Sequence, residues 1–136
     1  PYVIAIATKL AGEARDLAAL GYGFAAISSN DAEAYPQDGF ARMGDFARAH
    51  GFGFPYLHDE DQSLARALSA ACTPEFYGFD ANLRLRYHGR LDSSGRSATP
   101  GARRELHEAM RALAETGAAP ADQVAAIGCS IKWKPA

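Results

Sequence analysis

The feature that most constrains this chain is a proline at the junction of two apolar segments. Thr73-Pro74 follows a stretch with helical apolar spacing, residues 64–71, and precedes a short apolar run, residues 76–79, that is typical of a buried strand. A proline that opens a strand directly after a helix is a common place for a cis peptide bond, so a tight, rigid turn is predicted here. Cys72 places a thiol directly beside this turn.

Length and composition indicate one globular domain. The chain has 136 residues, of which 48% are hydrophobic, enough to bury a substantial core. Its net charge of −2 predicts neither a nucleic-acid-binding surface nor a basic membrane-binding patch, and no apolar run approaches the roughly 18 residues that span a bilayer. The two cysteines are too few for a disulfide-stapled secreted domain, and a cytoplasmic location is expected. They could form one disulfide, remain structural thiols, or belong to a larger redox set.

The apolar periodicity predicts the element order α-β-α-β-α-β-β-α. Apolar residues recur at spacings of four and three from Val3 to Leu17, and Pro1 suits the first position of this helix. Asp61 is predicted to cap the third helix, and Asn82 to take the left-handed position of a hairpin turn.

This order has no strand before its first helix. A right-handed crossover needs a parallel strand on both sides of its helix, and one added strand would give a βαβ unit joined to a ββα unit. We therefore expect residues before Pro1 that supply the central strand of the sheet. Residues 1–117 would form the domain, and residues 118–136 a C-terminal tail that packs on it.

Four segments carry a recognisable pattern over nearly the whole chain. They are residues 26–36 (AISSNDAEAYP), 54–60 (FPYLHDE), 71–76 (ACTPEF) and 127–134 (IGCSIKWK). Together they resemble the redoxin proteins of the alkyl hydroperoxide reductase/thiol-specific antioxidant (AhpC/TSA) group, within the thioredoxin-like superfamily. The resemblance implies an α/β fold, the thioredoxin-like three-layer sandwich, in which a mixed central sheet is flanked by helices.

The resemblance also implies a chemistry. In this subgroup a C-x-x-C motif directly precedes a Pro-Tyr-Val like Pro1-Tyr2-Val3, which would put a dithiol at the N-terminus of the first helix, where the helix dipole activates a thiolate. Neither of those cysteines is in the chain. The implied function is a thiol–disulfide oxidoreductase or peroxide-linked redoxin with an antioxidant role in cell redox homeostasis. Its substrate would be a protein or small-molecule disulfide or a peroxide, its electron donor a thiol, and no metal or organic cofactor would be needed.

Four residues are candidates for the site. Cys72 could be a redox partner or resolving thiol for the implied dithiol, or simply a small buried side chain. Cys129 could pair with Cys72, resolve a sulfenate, or be a structural thiol in the tail. Thr73 and Pro74 are predicted to position the substrate, with the open backbone of Thr73 pairing with an extended segment.

A different class of function uses the same turn. A redox-inactive thioredoxin-fold module could hold an extended peptide in the cis-proline groove by strand-like pairing. Metal chemistry is not predicted, since the histidines share no helical or strand spacing and Asp59-Glu60-Asp61 lacks the regular ligand positions of a calcium loop.

Overall fold

The computed structural model describes residues 2–136 as a mixed α/β arrangement. The helices are α1 (Tyr2–Ala19), α2 (Phe40–Ala49), α3 (Ser63–Ala67) and α4 (Glu105–Thr116), with a 3-10 turn at Pro36–Asp38. The strands are β1 (Ala26–Ser28), β2 (Tyr56–His58), β3 (Cys72–Thr73), β4 (Phe76–Phe79), β5 (Leu85–Gly89) and β6 (Cys129–Ser130). None of the helices in this part of the chain is long and apolar enough to cross a membrane.

The core lies where α1 and α4 pack against each other and α4 packs on β5. The predicted apolar stripe of α1 is confirmed, because Leu10 and Leu17 are buried, and the helix ends before Gly21, whose φ of +96° suits glycine. Tyr87 of β5 is the largest side chain in the cluster and is 2% exposed. Pro1, predicted to open α1, lies outside the described residues.

Arg104 fixes the two helices to each other from the residue before α4. Its Nε lies 2.7 Å from Glu13 Oε1 and its Nη2 lies 2.6 Å from Asp16 Oδ2, both on α1. The carboxylate of Glu13 is largely buried. The ion pair between Arg104 and Glu13 therefore stabilises the fold more than an exposed ion pair would.

The strands in residues 2–136 form three separate pairs. β1 and β2 are parallel, with Ala26 opposite Tyr56, whereas β4 and β5 are antiparallel, with Phe76 opposite Gly89. The third pair joins distant parts of the chain, since β3 lies antiparallel to β6. No hydrogen-bonded ladder joins β1 to β4 among the described residues, so the continuous mixed sheet expected from the sequence is not formed by them.

The expectation for Asp61 is wrong in detail. The residue before α3 is Gln62, in the left-handed region with a φ of +62°. Asp59 provides the hydrogen-bond acceptor for the first turn of α3. Its carboxylate accepts hydrogen bonds from the N–H groups of Leu64 and Ala65 at 3.2 and 2.9 Å. Asp61 accepts only the neighbouring Ser63 N–H.

The expectation for Asn82 is also wrong, by one residue. The positive φ of the β4–β5 turn belongs to Leu83, at +60°. The cause is Asp80, whose Oδ1 accepts the N–H groups of Asn82 and Arg84 at 2.9 and 3.0 Å and so shapes the turn around itself.

A pair of leucine substitutions tests the placement of the core. Leu106 of α4 is 3% exposed, whereas Leu83 is 83% exposed. We expect Leu106→Ala to lower the free energy of unfolding by about 2–5 kcal/mol, because it leaves a cavity against α1 and β5. Leu83→Ala should change it by about 0.5 kcal/mol or less. Equal losses for the two variants in urea denaturation would contradict the α1–α4–β5 core.

Candidate functional site

The turn at Pro74 is built around the carboxylate of Glu75. The Thr73-Pro74 peptide bond is cis, which confirms the prediction from sequence. Glu75 Oε2 accepts the N–H of Ala71 at 2.9 Å and of Cys72 at 3.4 Å, and Oε1 lies 2.6 Å from His88 Nε2 on β5. One largely buried acid therefore closes the turn and joins it to the neighbouring strand.

These contacts change the acidity of Glu75. Burial alone raises its pKa, but hydrogen bonds from the Ala71 N–H, the His88 ring and the Cys72 N–H outweigh burial and hold the pKa below its usual range. The ionised form is thus the one that the fold stabilises.

Tyr77 packs beside this network on β4. Its ring stacks on the His88 ring with the centroids 4.5 Å apart, and its buried hydroxyl has no hydrogen-bond partner among the described residues. Burial, followed by the negative charge of Glu75, raises the pKa of Tyr77 to about 12. The phenol is therefore protonated throughout the physiological pH range.

Pro74 also lines a pocket with the first turns of α1. This cavity of about 210 Å³ has Tyr2 and Ile6 on one side, Pro74 and Ile127 on another, and residues 90–96 on the third. Four segments that are distant in the sequence meet here: the start of α1, the cis-proline turn, residues 90–96 and the C-terminal tail.

A buried ion pair supports one wall of this pocket. Asp92 is 5% exposed, and its Oδ2 lies 2.6 Å from Lys9 Nζ of α1, while its Oδ1 accepts the Ser94 N–H at 2.8 Å. Burial raises the pKa of Asp92, but Lys9 and Ser94 outweigh burial and keep that pKa below its ordinary value. Among the other lining residues, the Arg96 guanidinium lies 6.0 Å from the centre of the Tyr2 ring.

The C-terminal tail crosses the cis-proline turn as an extended segment, which we name the C-terminal strap (residues 123–134). Within it β6 pairs with β3, so that Cys129 lies opposite Thr73 and Ser130 opposite Cys72. The expectation that the backbone of Thr73 is open is therefore wrong, because the chain's own tail occupies that edge. The tail is anchored on both sides of the pairing, which sequence patterns did not indicate.

Two polar side chains anchor the strap after β6. Gln62, 1% exposed, donates through Nε2 to the carbonyls of Ser29 and Lys132 at 2.7 and 3.0 Å, and its Oε1 accepts the Lys134 N–H at 3.0 Å. Asn30 Oδ1 accepts the Lys132 N–H at 2.9 Å. The strap is thus tied to the loops that follow β1 and β2.

The strap is anchored before β6 along β5. The Val124 carbonyl accepts the Arg90 N–H at 3.0 Å. Gln123 accepts the His88 N–H through Oε1 at 3.0 Å and donates through Nε2 to the Arg86 carbonyl at 2.8 Å. The side chain of Gln123 therefore substitutes for a strand partner at this edge.

Glycine is required where the strap passes closest to the turn. A Cβ on Gly128 would overlap the carbonyl oxygen of Thr73 and lie 3.1 Å from Pro74 N. Both contacts are with backbone, which cannot swing aside as a side chain can. Any larger residue at this position must move the strap or the turn.

The two cysteines lie close in the ladder but on opposite faces of it. Residues directly opposite in an antiparallel pair share a face and successive residues alternate, so Cys129 shares a face with Thr73 whereas Cys72 points to the other side. Both are half-buried free thiols.

Burial, and then the charge of Glu75, raises the pKa of Cys72, whose Sγ lies 3.7 Å from the Ala126 carbonyl. Cys72 therefore lacks the environment of an attacking thiolate.

A second, open depression of about 500 Å³ lies at the far end of the strap. Its lining is His58, Asp59, Glu60, Asp61 and Lys134. Across residues 2–136, no group of three or more histidine, cysteine or carboxylate side chains is arranged to hold a metal ion.

The acidity of Glu75 leads to a pH-dependent prediction. A folded-state pKa below the unfolded value of about 4.3 gives stability that is complete above that pH and is lost as the pH falls through the folded pKa. Glu75→Gln should therefore lower the free energy of unfolding by about 1.5–3 kcal/mol at neutral pH, and the difference from wild type should shrink below about pH 4.

The matched control is Glu115→Gln on α4, since that carboxylate is 58% exposed and forms an exposed pair with Arg111. Its effect should be about 0.5 kcal/mol or less. Urea titrations give the difference in the free energy of unfolding between the wild type and Glu75→Gln at each pH. If that difference stayed constant from neutral to acid pH, the role assigned to Glu75 would be wrong.

The opposed faces of Cys72 and Cys129 predict the outcome of mild oxidation. The native protein should keep both thiols free under an oxidant that links them after unfolding in urea, because the folded ladder holds them apart. Alkylation followed by intact-mass measurement separates the two states, because the dithiol form gains two alkyl groups and the disulfide form gains none. Rapid linkage in the native protein would contradict the β3–β6 register.

Solved structures that are similar to the chain over its whole length include proteins from two bacteria. A hypothetical protein from Sinorhizobium meliloti 1021 is 40% identical, with a TM-score of 0.91, and the match covers 100% of this chain and 75% of that one. An uncharacterized conserved protein from Geobacillus kaustophilus is 44% identical, with a TM-score of 0.92, and the match covers 100% of this chain and 72% of that one.

No family model and no curated protein matches the chain. The two solved structures agree with it in fold over every described element, at an identity far above that of unrelated proteins sharing a fold. The chain therefore belongs to the same protein family as the Sinorhizobium meliloti and Geobacillus kaustophilus proteins.

Proposed function

We propose that the protein is a thioredoxin-like thiol–disulfide oxidoreductase or peroxide-linked redoxin of the AhpC/TSA type, acting through a cysteine dithiol directly before Pro1. The observation that carries the proposal is the shared pocket of Pro74 and Tyr2. A cis-proline turn that lies against the N-terminus of a long helix is the arrangement in which this class of enzyme presents a substrate to its thiolate.

The strand pairing supports the thioredoxin-like sandwich. Each of β1 and β4 has one partner among residues 2–136, β2 and β5 respectively, and so each keeps a second edge for another strand. A strand that enters α1 from before Pro1 would join the two pairs into one mixed sheet with α1 and α4 against it. A parallel β–α1–β1 crossover then follows from the usual right-handed connection.

The reaction needs two thiols and balances without a metal. The first thiolate attacks one sulfur of a disulfide and releases a thiol, or attacks a peroxide oxygen and releases water or an alcohol. The second thiol then attacks the sulfur of the mixed disulfide or sulfenic acid, which forms the protein disulfide and releases the second thiol or water. The two electrons come from the dithiol, and a thiol donor restores it.

The described residues would support these steps through electrostatics and shape. The N-terminal end of α1 favours a thiolate there by its dipole. Lys9 pairs with Asp92, so that the positive charge of Lys9 balances the buried negative charge in the pocket wall. Pro74 borders the approach to this point, whereas the raised pKa of Cys72 argues that the attacking sulfur is elsewhere.

A redox-inactive peptide-binding module is the second candidate. One observation favours it: neither Cys72 nor Cys129 is bonded, and Cys72 is not activated. Such a module would need the edge of Thr73, however, and β6 covers that edge. The oxidoreductase is therefore the better supported of the two.

A cysteine series on the complete natural polypeptide tests the oxidoreductase. With dithiothreitol as reductant, replacing the cysteines before Pro1 by serine should reduce turnover of hydroxyethyl disulfide and hydrogen peroxide to the uncatalysed rate. Cys72→Ser and Cys129→Ser are the matched controls and should keep most of the wild-type turnover. A wild-type polypeptide of verified intact mass that turns over neither substrate would refute the proposal and favour the binding module.

A further inference from the structure

The C-terminal strap pairs with the backbone edge at Thr73, where an extended polypeptide substrate would pair. We infer that the strap makes the site selective for small molecules with a disulfide or peroxide bond and excludes disulfides held in extended polypeptide. The inference rests on the proposed function and specifies its substrate class. Four features of the molecule support this inference. β3 is already paired with β6, the strap lies close to the turn, the strap is anchored on both sides of β6, and the pocket that stays open is small.

The first of these features is the pairing of β3 with β6. A peptide captured by strand addition must hydrogen-bond to the backbone of a free edge. At Thr73 that edge already faces Cys129, and at Cys72 it faces Ser130. The N–H groups of Ala71 and Cys72 are bonded to the Glu75 carboxylate, so an extended substrate could pair with this strand only after β6 had left.

The closeness of the strap to the turn is the second step. Neighbouring strands lie about 4.8 Å apart, and a strand inserted between them would need a second such spacing. Gly128 approaches the Thr73 carbonyl so closely that a methyl group would not fit. No room therefore remains between strap and turn for a second chain.

The anchors are the third step, since a loose tail could simply move aside. On one side of β6 the almost fully buried Gln62 holds both Lys132 and Lys134, and Asn30 adds a bond to Lys132. On the other side Val124 is bonded to Arg90. Lifting β6 would break bonds at both ends together, and it would leave the buried side-chain oxygen of Gln62 without the Lys134 N–H, which is costly.

The size of the remaining opening is the last step. The pocket beside Pro74 measures about 210 Å³, below the roughly 300–1,000 Å³ of sites for drug-sized ligands. Ile127 of the strap forms part of its wall, and Arg96 and Tyr2 line it as well. Such a pocket admits a small disulfide or peroxide end-on, but not a polypeptide backbone that must lie along Thr73.

The electron balance is that of the proposed reaction. A small disulfide takes two electrons from the dithiol before Pro1 and leaves as two thiols, while the protein gains one disulfide. Dithiothreitol, a dithiol reductant, returns the two electrons in the assay.

The test measures kcat/KM of the complete polypeptide for insulin and for hydroxyethyl disulfide. We expect insulin to be turned over less efficiently by about tenfold or more in the wild type. Gly128→Ala, which forces the strap off the turn, should raise the insulin to hydroxyethyl disulfide ratio by about tenfold. Gly53→Ala is the matched control, because its added methyl meets open space, and it should leave the ratio unchanged.

Asn30→Ala gives a second route if Gly128→Ala does not fold, since it removes the acceptor of the Lys132 N–H and keeps every strap residue. It should raise the ratio in the same direction. Equal efficiencies in the wild type, or a ratio that both variants leave unchanged, would overturn the inference while leaving the proposed function intact. If the wild type turned over none of insulin, hydroxyethyl disulfide and hydrogen peroxide, the proposed function itself would be overturned.

Discussion

The antiparallel contact between β6 and β3 connects the parts of the candidate site. It brings the C-terminal tail against the cis-proline turn, places Ile127 in the wall of the pocket at the start of α1, and sets Cys72 and Cys129 on opposite faces. The strand pair has only two residues on each side. Its stability therefore depends on side-chain anchors outside the ladder, Gln62 and Asn30, which satisfy main-chain groups that would otherwise be unpaired.

Buried carboxylates organise the other side of the site. Glu75 closes the turn through backbone N–H groups and His88, and Asp92 pairs with Lys9 under the pocket. Both acids have a lowered pKa despite their burial, because directed hydrogen bonds outweigh desolvation. Burial, and then the charge of Glu75, raises the pKa of Cys72. The carboxylate that shapes the turn thus adds to the effect of burial in disfavouring a thiolate beside it.

The sequence is sufficient for features that depend on local chemistry. The α1 stripe, the cis bond at Thr73-Pro74 and a mixed α/β composition all follow from short-range patterns. The turn at Leu83 was misplaced because the carboxylate of Asp80 competes with the preference of Asn82. The sequence predicts a C-terminal tail that packs on the domain, but not its pairing with β3, since β6 is too short for a periodicity signal and its partner lies more than fifty residues away. Glu75 and Gln62 were missed for a similar reason, because their roles depend on tertiary neighbours; a carboxylate directly after Pro74 was the available signal for Glu75.

Hydrogen–deuterium exchange at the strap tests the central claim most directly, since it requires neither a substrate nor a variant. The Ile131 N–H donates to the Ala71 carbonyl, and the Lys132 N–H to Asn30. If the strap covers the turn in solution, both amides should exchange at least about a hundredfold more slowly than in an unstructured peptide. Exchange of both at the free-peptide rate would mean that the strap is open and that the edge of Thr73 is accessible.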